Sequence, residues 1–116
     1  MNIKDIAGYL DGELICGTNK ADKPVLSACG ADLMSDVLAF AKAGSALLTG
    51  MVNQHVVRTA QMLDVNCIVF VRGKRPDAAL CALAEEADIA IVACDKTLYE
   101  SCGLLYQAGL PPCARV

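Results

Sequence analysis

Three short, almost uninterrupted apolar stretches constrain the fold of this chain more than any other feature of its sequence. They read SALLT (residues 45–49), CIVFV (residues 67–71) and IAIVAC (residues 89–94). A strand with one face in water alternates apolar and polar residues, whereas a strand covered on both faces is apolar throughout. Each stretch is followed by a segment with helical spacing, and short strand–helix–strand units build parallel sheets through right-handed crossovers. The sequence therefore predicts an α/β fold, a layered domain with a mainly parallel sheet built from βαβ units.

Local signals mark the ends of the helices that follow these strands. Asn53 can cap the first helix. Pro76 can open the second, DAALCALAEEA, because the missing N–H is not needed in a first turn. Thr97 and Glu100 have the spacing of a capping box for the third helix, and Gly109 can end it. The connections between strands and helices are accordingly predicted to be short.

The N-terminal part of the chain is less regular. Residues 2–11 predict a helix capped by Asn2, and ELIC and PVLSAC predict two short strands joined by a polar turn. A further helix is predicted over residues 33–43, with Asp32 as its cap. The two strands either extend the parallel sheet or lie beside it. With 116 residues, no linker and no internal repeat, the chain is predicted to form a single domain over residues 1–116.

Charge and hydropathy argue against two classes of partner. The formal net charge is −3 and the isoelectric point is near 4.9, whereas broad nucleic-acid binding needs a basic face. No apolar run approaches the roughly 18 residues of a membrane span. The first ten residues, MNIKDIAGYL, lack the apolar core of a signal peptide. We therefore expect no nucleic acid and no membrane among the partners, and a cytoplasmic location by default.

The cysteines show no recognisable metal or disulfide pattern. None stand in a C-x-x-C arrangement and His55 is the only histidine, whereas zinc and iron–sulfur sites usually have closely spaced ligands. An odd number of cysteines also disfavours a disulfide framework. Most of them lie in apolar runs, so we predict small buried hydrophobic residues, no metal and no cofactor. The seven are Cys16, Cys29, Cys67, Cys81, Cys94, Cys102 and Cys113.

The loops that follow the three apolar strands form the candidate ligand site. In open α/β sheets, ligands bind beyond the carboxyl ends of the strands, and each of these loops also leads into a helix N-terminus, which favours anions. The segment VRGKRP places three cations around one glycine, which lets the backbone approach a phosphate, a carboxylate or a nucleotide. The alternative is a solvated turn with no ligand. The predicted binding residues are Thr49, Gly50, Arg72, Gly73, Lys74, Arg75, Asp95 and Thr97.

The sequence offers few candidates for catalytic residues. Nucleophilic chemistry of the Ser-His-Asp or Cys-His type would need His55, which is predicted in the first turn of a helix as a surface residue. Cys94 lies beside Asp95, whose negative charge would raise the thiol pKa and so reduce its reactivity. Asp95 itself ends a strand, where it either caps the next helix or binds a ligand hydroxyl. We therefore predict no catalytic residues and no enzyme activity.

Three longer segments carry a family resemblance. They are IKDIAGYLDGELICG, LMSDVLAFAKAGSALLTG and IVFVRGKRPDAALCALAEEADIAIVACDKTLYES. Across residues 3–110 the chain resembles the DRTGG domain family, which is related in fold to the N-terminal domain of HPr kinase/phosphorylase. That family usually has Asp-Arg after the glycine that matches Gly50, and here Met51 and Val52 stand in those places. Of its later Thr-Gly-Gly only the last glycine is kept, as Gly73, so the chain is identified as a divergent, stand-alone member.

The resemblance implies a regulatory role. DRTGG domains occur beside CBS domains in some inorganic pyrophosphatases and in phosphotransacetylase-like proteins, as non-catalytic modules of dimer contact and ligand sensing. We therefore expect a homodimer that senses a small anionic ligand, a nucleotide or a phosphate. The alternative is a pure protein-interaction module, tied to a redox, hydrogenase or signalling system. Its interface would use Met51, Val52 and the tail LPPCARV.

Overall fold

The computed structural model describes residues 1–113, in which helices and strands alternate along the chain. The strands are β1 (Glu13–Cys16), β2 (Ser27–Gly30), β3 (Ser45–Thr49), β4 (Cys67–Phe70) and β5 (Ala90–Ala93). The helices are α1 (Ile3–Tyr9), α2 (Met34–Phe40), α3 (Gln54–Met62), α4 (Ala78–Glu86) and α5 (Leu98–Gln107), with a short 3₁₀ turn at Thr18–Lys20. The predicted α/β fold class is confirmed.

One five-stranded sheet contains all of these strands, in the order β1-β5-β4-β3-β2. Strands β2, β3, β4 and β5 run parallel, and β1 is added antiparallel to the β5 edge. The two N-terminal strands therefore extend the sheet, at opposite edges. Because β3, β4 and β5 are sequential neighbours, each crossover helix returns the chain to the adjacent position.

Both faces of the sheet are covered, which explains the continuous apolar strands. In β3, Ala46 and Leu48 pack into a core with α1 and α5, whereas Leu47 packs into a second core with α2, α3 and α4. All five residues of β3 are buried. The crossover helices α2, α3 and α4 lie on one face, and α1 and α5 form the third layer on the other.

Some helix ends follow the predicted signals and others do not. Asn53 Oδ1 accepts from the Val56 N–H at 3.0 Å, which confirms it as the cap of α3. Asp32 was expected to cap α2, but Leu33 holds that position with no side-chain hydrogen bond. Asp77, rather than Pro76, is the residue that starts α4. Its carboxylate accepts from the Leu80 N–H at 2.8 Å, and Pro76 precedes the cap.

The expectation that the cysteines form no disulfide is wrong for one pair. Cys16 and Cys81 are joined by a disulfide between β1 and α4. Their 65-residue separation gives no local signal in the sequence, since only the packing of α4 on β1 brings them together. Cys67 and Cys94 are buried and free, as predicted, and burial raises the pKa of the Cys67 thiol to about 12. The other free cysteines are only partly buried, contrary to the prediction: Cys29, Cys102 and Cys113.

No helix in residues 1–113 is both long enough and apolar enough to cross a membrane.

Candidate functional site

The exits of β3, β4 and β5 meet at one edge of the sheet, which we call the rim (residues 49–52, 72–75 and 95–97). Thr49 lies opposite Phe70 in the register, and Phe70 lies opposite Ala93. The Arg72 N–H donates to the Lys96 carbonyl at 2.8 Å, which ties the second loop to the third. The predicted convergence of these three loops is therefore observed.

The peptide around Gly50 is held from several sides. Its N–H donates to Asp32 Oδ1 at 2.7 Å, and its carbonyl accepts from Lys74 Nζ at 2.9 Å. Thr49 donates its hydroxyl to the same Asp32 oxygen at 3.0 Å and accepts from the Met51 N–H at 3.1 Å. These bonds fix the turn that leaves β3 and place the Lys74 ammonium group directly over it.

Arg72 also lies on Gly50. A Cβ atom added to Gly50 would collide with the Arg72 guanidinium group, so the glycine leaves the space that this cation occupies. Two positively charged side chains thus converge on one residue without a side chain.

Asp32 contacts the rim, whereas the sequence predicted it only as a helix cap. The hydrogen bond from the Gly50 N–H is the main cause that lowers the pKa of its carboxyl group, against partial desolvation. The Thr49 hydroxyl and the charges of Arg72 and Lys74 lower that pKa further. A strand-end Asp before a helix has the pattern of a cap, and only the β2–β3 pairing shows that Asp32 reaches the next loop instead.

Arg72 has an uncommon backbone. Its φ is +61°, in the left-handed region, and Gly73 follows at +73°. The other non-glycine residues with positive φ among residues 1–113 are all aspartates: Asp11, Asp64 and Asp88. Aspartate adopts this region more readily because its short side chain can hydrogen-bond locally, and arginine has no such compensation. The turn that presents the Arg72 guanidinium group is therefore strained at that residue.

The remaining predicted site residues lie around this centre with different contacts. Asp95 is exposed beside Gly73, where a Cβ atom would be 3.4 Å from Asp95 Oδ1. Thr97 caps α5, and its hydroxyl oxygen accepts from the Glu100 N–H at 3.2 Å, so Asp95 is not that cap. Arg75 points toward β1 and pairs with Glu13 at 2.7 Å.

A surface hollow of about 270 Å³ lies beside the rim, between the start of α3 and the start of α4. Two helix N-termini facing one hollow favour an anion there, through their free N–H groups and partial positive charge. The hollow is lined by Val52, Asn53, Gln54, Arg75, Asp77, Ala79 and Leu80.

The charge of the region is mixed rather than uniformly positive. Asp32 and Asp95 lie among the cations of the rim, and Asp77 lines the hollow. Among residues 1–113, no group of three or more His, Cys, Asp or Glu side chains could hold a metal ion. The arrangement is chemically suited to an anionic group that also carries hydroxyls, because the carboxylates can accept from hydroxyls while the cations bind the anion.

Comparison with known proteins identifies relatives of this fold. The family model of the DRTGG domain matches residues 5–108. A crystal structure of the CBS and DRTGG domains of the regulatory region of Clostridium perfringens pyrophosphatase, complexed with the activator diadenosine tetraphosphate, is similar with a TM-score of 0.75 and 17% sequence identity. The match covers 95% of this chain and 47% of that chain, so this chain spans about half of its neighbour's length. No curated protein matches the sequence.

Proposed function

Because the chain belongs to the DRTGG domain family, we propose that it is a non-catalytic regulatory module that binds a small anionic ligand, a nucleotide or a phosphate, at the rim. The observation that carries this proposal is the position of Arg72, whose guanidinium group lies against Gly50 on a left-handed backbone. Strained residues persist where the surrounding structure holds them, and they cluster at binding sites. The nucleotide activator of the pyrophosphatase regulatory region supports the ligand class.

The proposed ligand uses the rim in two ways. Arg72 and Lys74 bind its phosphate groups, and the two helix N-termini at the hollow provide further N–H donors. Exposed Asp95 accepts a hydrogen bond from a ligand hydroxyl, as a carboxylate does for a ribose. Arg75 and Thr97 have partners within the protein, so they contribute through charge and loop position.

A non-catalytic role is supported by the surroundings of the candidate nucleophile. Cys94 is buried, and its sulfur lies 3.5 Å from the hydroxyl of Ser101, which is also buried. His55 is exposed on α3. No base contacts this thiol among the described hydrogen bonds, and a covalent mechanism needs both a nucleophile and a positioned base.

A homodimer is the second part of the proposal. Large apolar side chains are exposed at α2 and α5: Leu33, which precedes α2, is 62%, Phe40 57% and Tyr106 70% accessible. Phe40 and Tyr106 line two hollows that share Ala28 and Pro112, and exposed apolar groups gathered in this way are typical of protein interfaces. Sedimentation velocity at rising concentration measures the dimer directly, and Phe40→Ser is expected to shift it toward monomer. Monomer alone at 1 mM chain would contradict the dimer without affecting the ligand site.

The ligand site is tested by thermal unfolding in the presence of phosphate, AMP, ATP or diadenosine tetraphosphate. A ligand at 100 times its dissociation constant adds about 2.7 kcal/mol to the free energy of unfolding. Gly50→Ala is expected to abolish that gain with little change in the unliganded protein, because its methyl group displaces only the flexible end of Arg72. Arg72→Ala should act in the same way.

Lys4→Ala is the matched control, since Lys4 is an exposed cation of α1 paired with Asp22. It should keep the full ligand response. If none of the four compounds stabilises the native chain, or if Gly50→Ala and Arg72→Ala respond as the native chain does, the rim does not bind this ligand class.

The alternative function is a pure protein-interaction module, and Met51 favours it. This side chain is 41% exposed at the rim, where most family members have Asp. The tail LPPCARV offers less surface to such an interface than expected, because Leu110 is buried and the Cys113 N–H donates to the Ala28 carbonyl at 3.1 Å. Residues 114–116 of that tail lie outside the described residues. Loss of self-association or partner binding in Met51→Asp, with no ligand response in the native chain, would select this function.

A further inference from the structure

The disulfide links the antiparallel edge strand β1 to helix α4. Cys16 is the last residue of β1, and Cys81 lies in α4. Their Cα atoms are 5.8 Å apart, within the range that disulfides usually span. Strand β1 has four residues and pairs only with β5 within the sheet. Besides this pairing, β1 is held by packing against α4 and α1.

A second link joins the same two parts of the molecule at the rim. Glu13, the first residue of β1, accepts from Arg75 Nη1 at 2.7 Å, just before α4 begins. Both side chains are more than half exposed, and exposed ion pairs contribute little to stability. Within residues 1–113, this weak pair is the one hydrogen bond or ion pair that joins β1 to the α4 segment besides the disulfide.

The two sulfurs differ in access. Cys16 is only 2% exposed, whereas Cys81 is partly exposed. Of the two cysteines, Cys81 is therefore the one that an external thiolate approaches more easily. Two of the free thiols attack the disulfide poorly, since burial raises the pKa of Cys29 to about 11 and that of Cys67 to about 12, and exchange requires the thiolate.

From these contacts we propose that Cys16 and Cys81 form a reversible redox link whose state sets how firmly β1 and the Arg75 side of the rim are held. The co-reactant is a dithiol reductant. One of its thiolates attacks Cys81 Sγ, forms a mixed disulfide and releases the Cys16 thiolate. Its second thiol then attacks the reductant's own sulfur in that mixed disulfide and releases the Cys81 thiolate. Two electrons and two protons pass to the protein, which gains two thiols, while the reductant becomes a cyclic disulfide.

The reduced protein keeps its fold and loosens locally. Leu80 and Ala84 of α4 stay buried in the same core as Cys16, so packing continues to hold the helix. The Glu13–Arg75 pair, now without the covalent link below it, opens more often. This inference does not depend on the proposed ligand, because its readouts concern the cysteines and the two linked elements alone.

The test compares the full chain before and after treatment with dithiothreitol. Alkylation under denaturing conditions should modify five cysteines in the oxidised chain and seven after reduction. Hydrogen exchange measured by mass spectrometry should become at least tenfold faster in residues 13–16 and 78–86 on reduction, with no change in β2 at the opposite edge. Reduction should also lower the melting temperature.

Matched variants assign these effects to the pair. Cys29→Ser leaves the link intact and should respond to dithiothreitol as the native chain does. The double variant Cys16→Ser/Cys81→Ser should exchange like the reduced chain and ignore the reductant. Seven modified cysteines in the oxidised chain would overturn the proposal. So would an unchanged melting temperature and exchange pattern in the native chain after reduction, and this comparison remains valid if the double variant does not fold.

Discussion

Asp32 is a single carboxylate that organises the turn beneath the proposed ligand. Its folded pKa is lowered from the ordinary value of 3.8 by the Gly50 N–H first, and by Thr49 and the nearby cations. A carboxyl group whose pKa is lower in the folded than in the unfolded protein stabilises the fold at pH values above its unfolded pKa. This contribution disappears as the pH falls through the pKa of the folded state.

We predict that Asp32→Asn lowers the free energy of unfolding by about 1 kcal/mol at pH 7, the range of a charge-assisted hydrogen bond discounted for exposure. The difference from the native chain should shrink between about pH 5 and pH 2, since the native carboxylate is then protonated. Urea unfolding at a series of pH values measures it. Asp22→Asn, at an exposed position, should show almost no difference at any pH. A difference for Asp32→Asn that does not change with pH would contradict the assignment.

The strain at Arg72 yields a comparison of two substitutions at one position. Arg72→Gly and Arg72→Ala both remove the guanidinium group, but only glycine adopts φ near +61° freely. We expect Arg72→Gly to be more stable than Arg72→Ala by about 1 kcal/mol, and neither to bind the proposed ligand. Equal stability of the two variants in urea unfolding would mean that the left-handed backbone is not a source of strain.

Among the single elements, strand β3 contains a hydroxyl group whose burial destabilises the fold. Ser45 opens this strand and is fully buried. Among residues 1–113, its Oγ is a buried side-chain oxygen with no hydrogen-bond partner. Its main-chain carbonyl is satisfied by the Asn66 N–H at 2.9 Å, so the hydroxyl itself is dispensable to the strand.

Ser45→Ala is therefore expected to raise the free energy of unfolding by about 1 kcal/mol, because it removes the desolvation penalty of an unpaired hydroxyl. Ser27→Ala is the control in the neighbouring strand: the Ser27 hydroxyl lies 3.4 Å from Cys113 Sγ, so its loss should not stabilise the protein. Chemical denaturation of both variants measures the change in the free energy of unfolding. A less stable Ser45→Ala protein would show that the hydroxyl has a partner in solution.

The whole molecule consists of two cores that share one sheet. The core with α1 and α5 and the core with α2, α3 and α4 are lined by alternate residues of the same strands. Loss of either core uncovers one face of every strand, so the two should be lost together. A single domain, which the length and the lack of a linker predict, should show this coupling.

The tyrosines allow that coupling to be measured. All three lie in the α1 and α5 layer, as Tyr9, Tyr99 and Tyr106, and the chain has no Trp. Tyrosine fluorescence therefore reports one layer, whereas far-ultraviolet circular dichroism reports both. We expect the two unfolding transitions to coincide in oxidised protein, as for a cooperative domain. A fluorescence transition at clearly lower denaturant would indicate that the α1 and α5 layer unfolds alone.

The sequence by itself determined the elements and the class of fold, because periodicity, caps and apolar runs act over a few residues. The predicted buried parallel strands are observed in the segments SALLT, CIVFV and IAIVAC. Asn53 caps α3, as predicted. The family resemblance was likewise readable from the chain, and the family model that matches residues 5–108 confirms it. The ligand edge at the loops after these strands stays a prediction.

Tertiary structure alone decided which distant groups meet. Asp32 reaches Gly50 because β2 pairs with β3, Arg75 turns to Glu13 because β1 closes the other edge, and Cys16 meets Cys81 because α4 packs on β1. Each of these contacts joins residues 18 to 65 positions apart. No local preference encodes such pairs, because they depend on strand order and helix packing. Strand order and helix packing are fixed only when both cores are buried together.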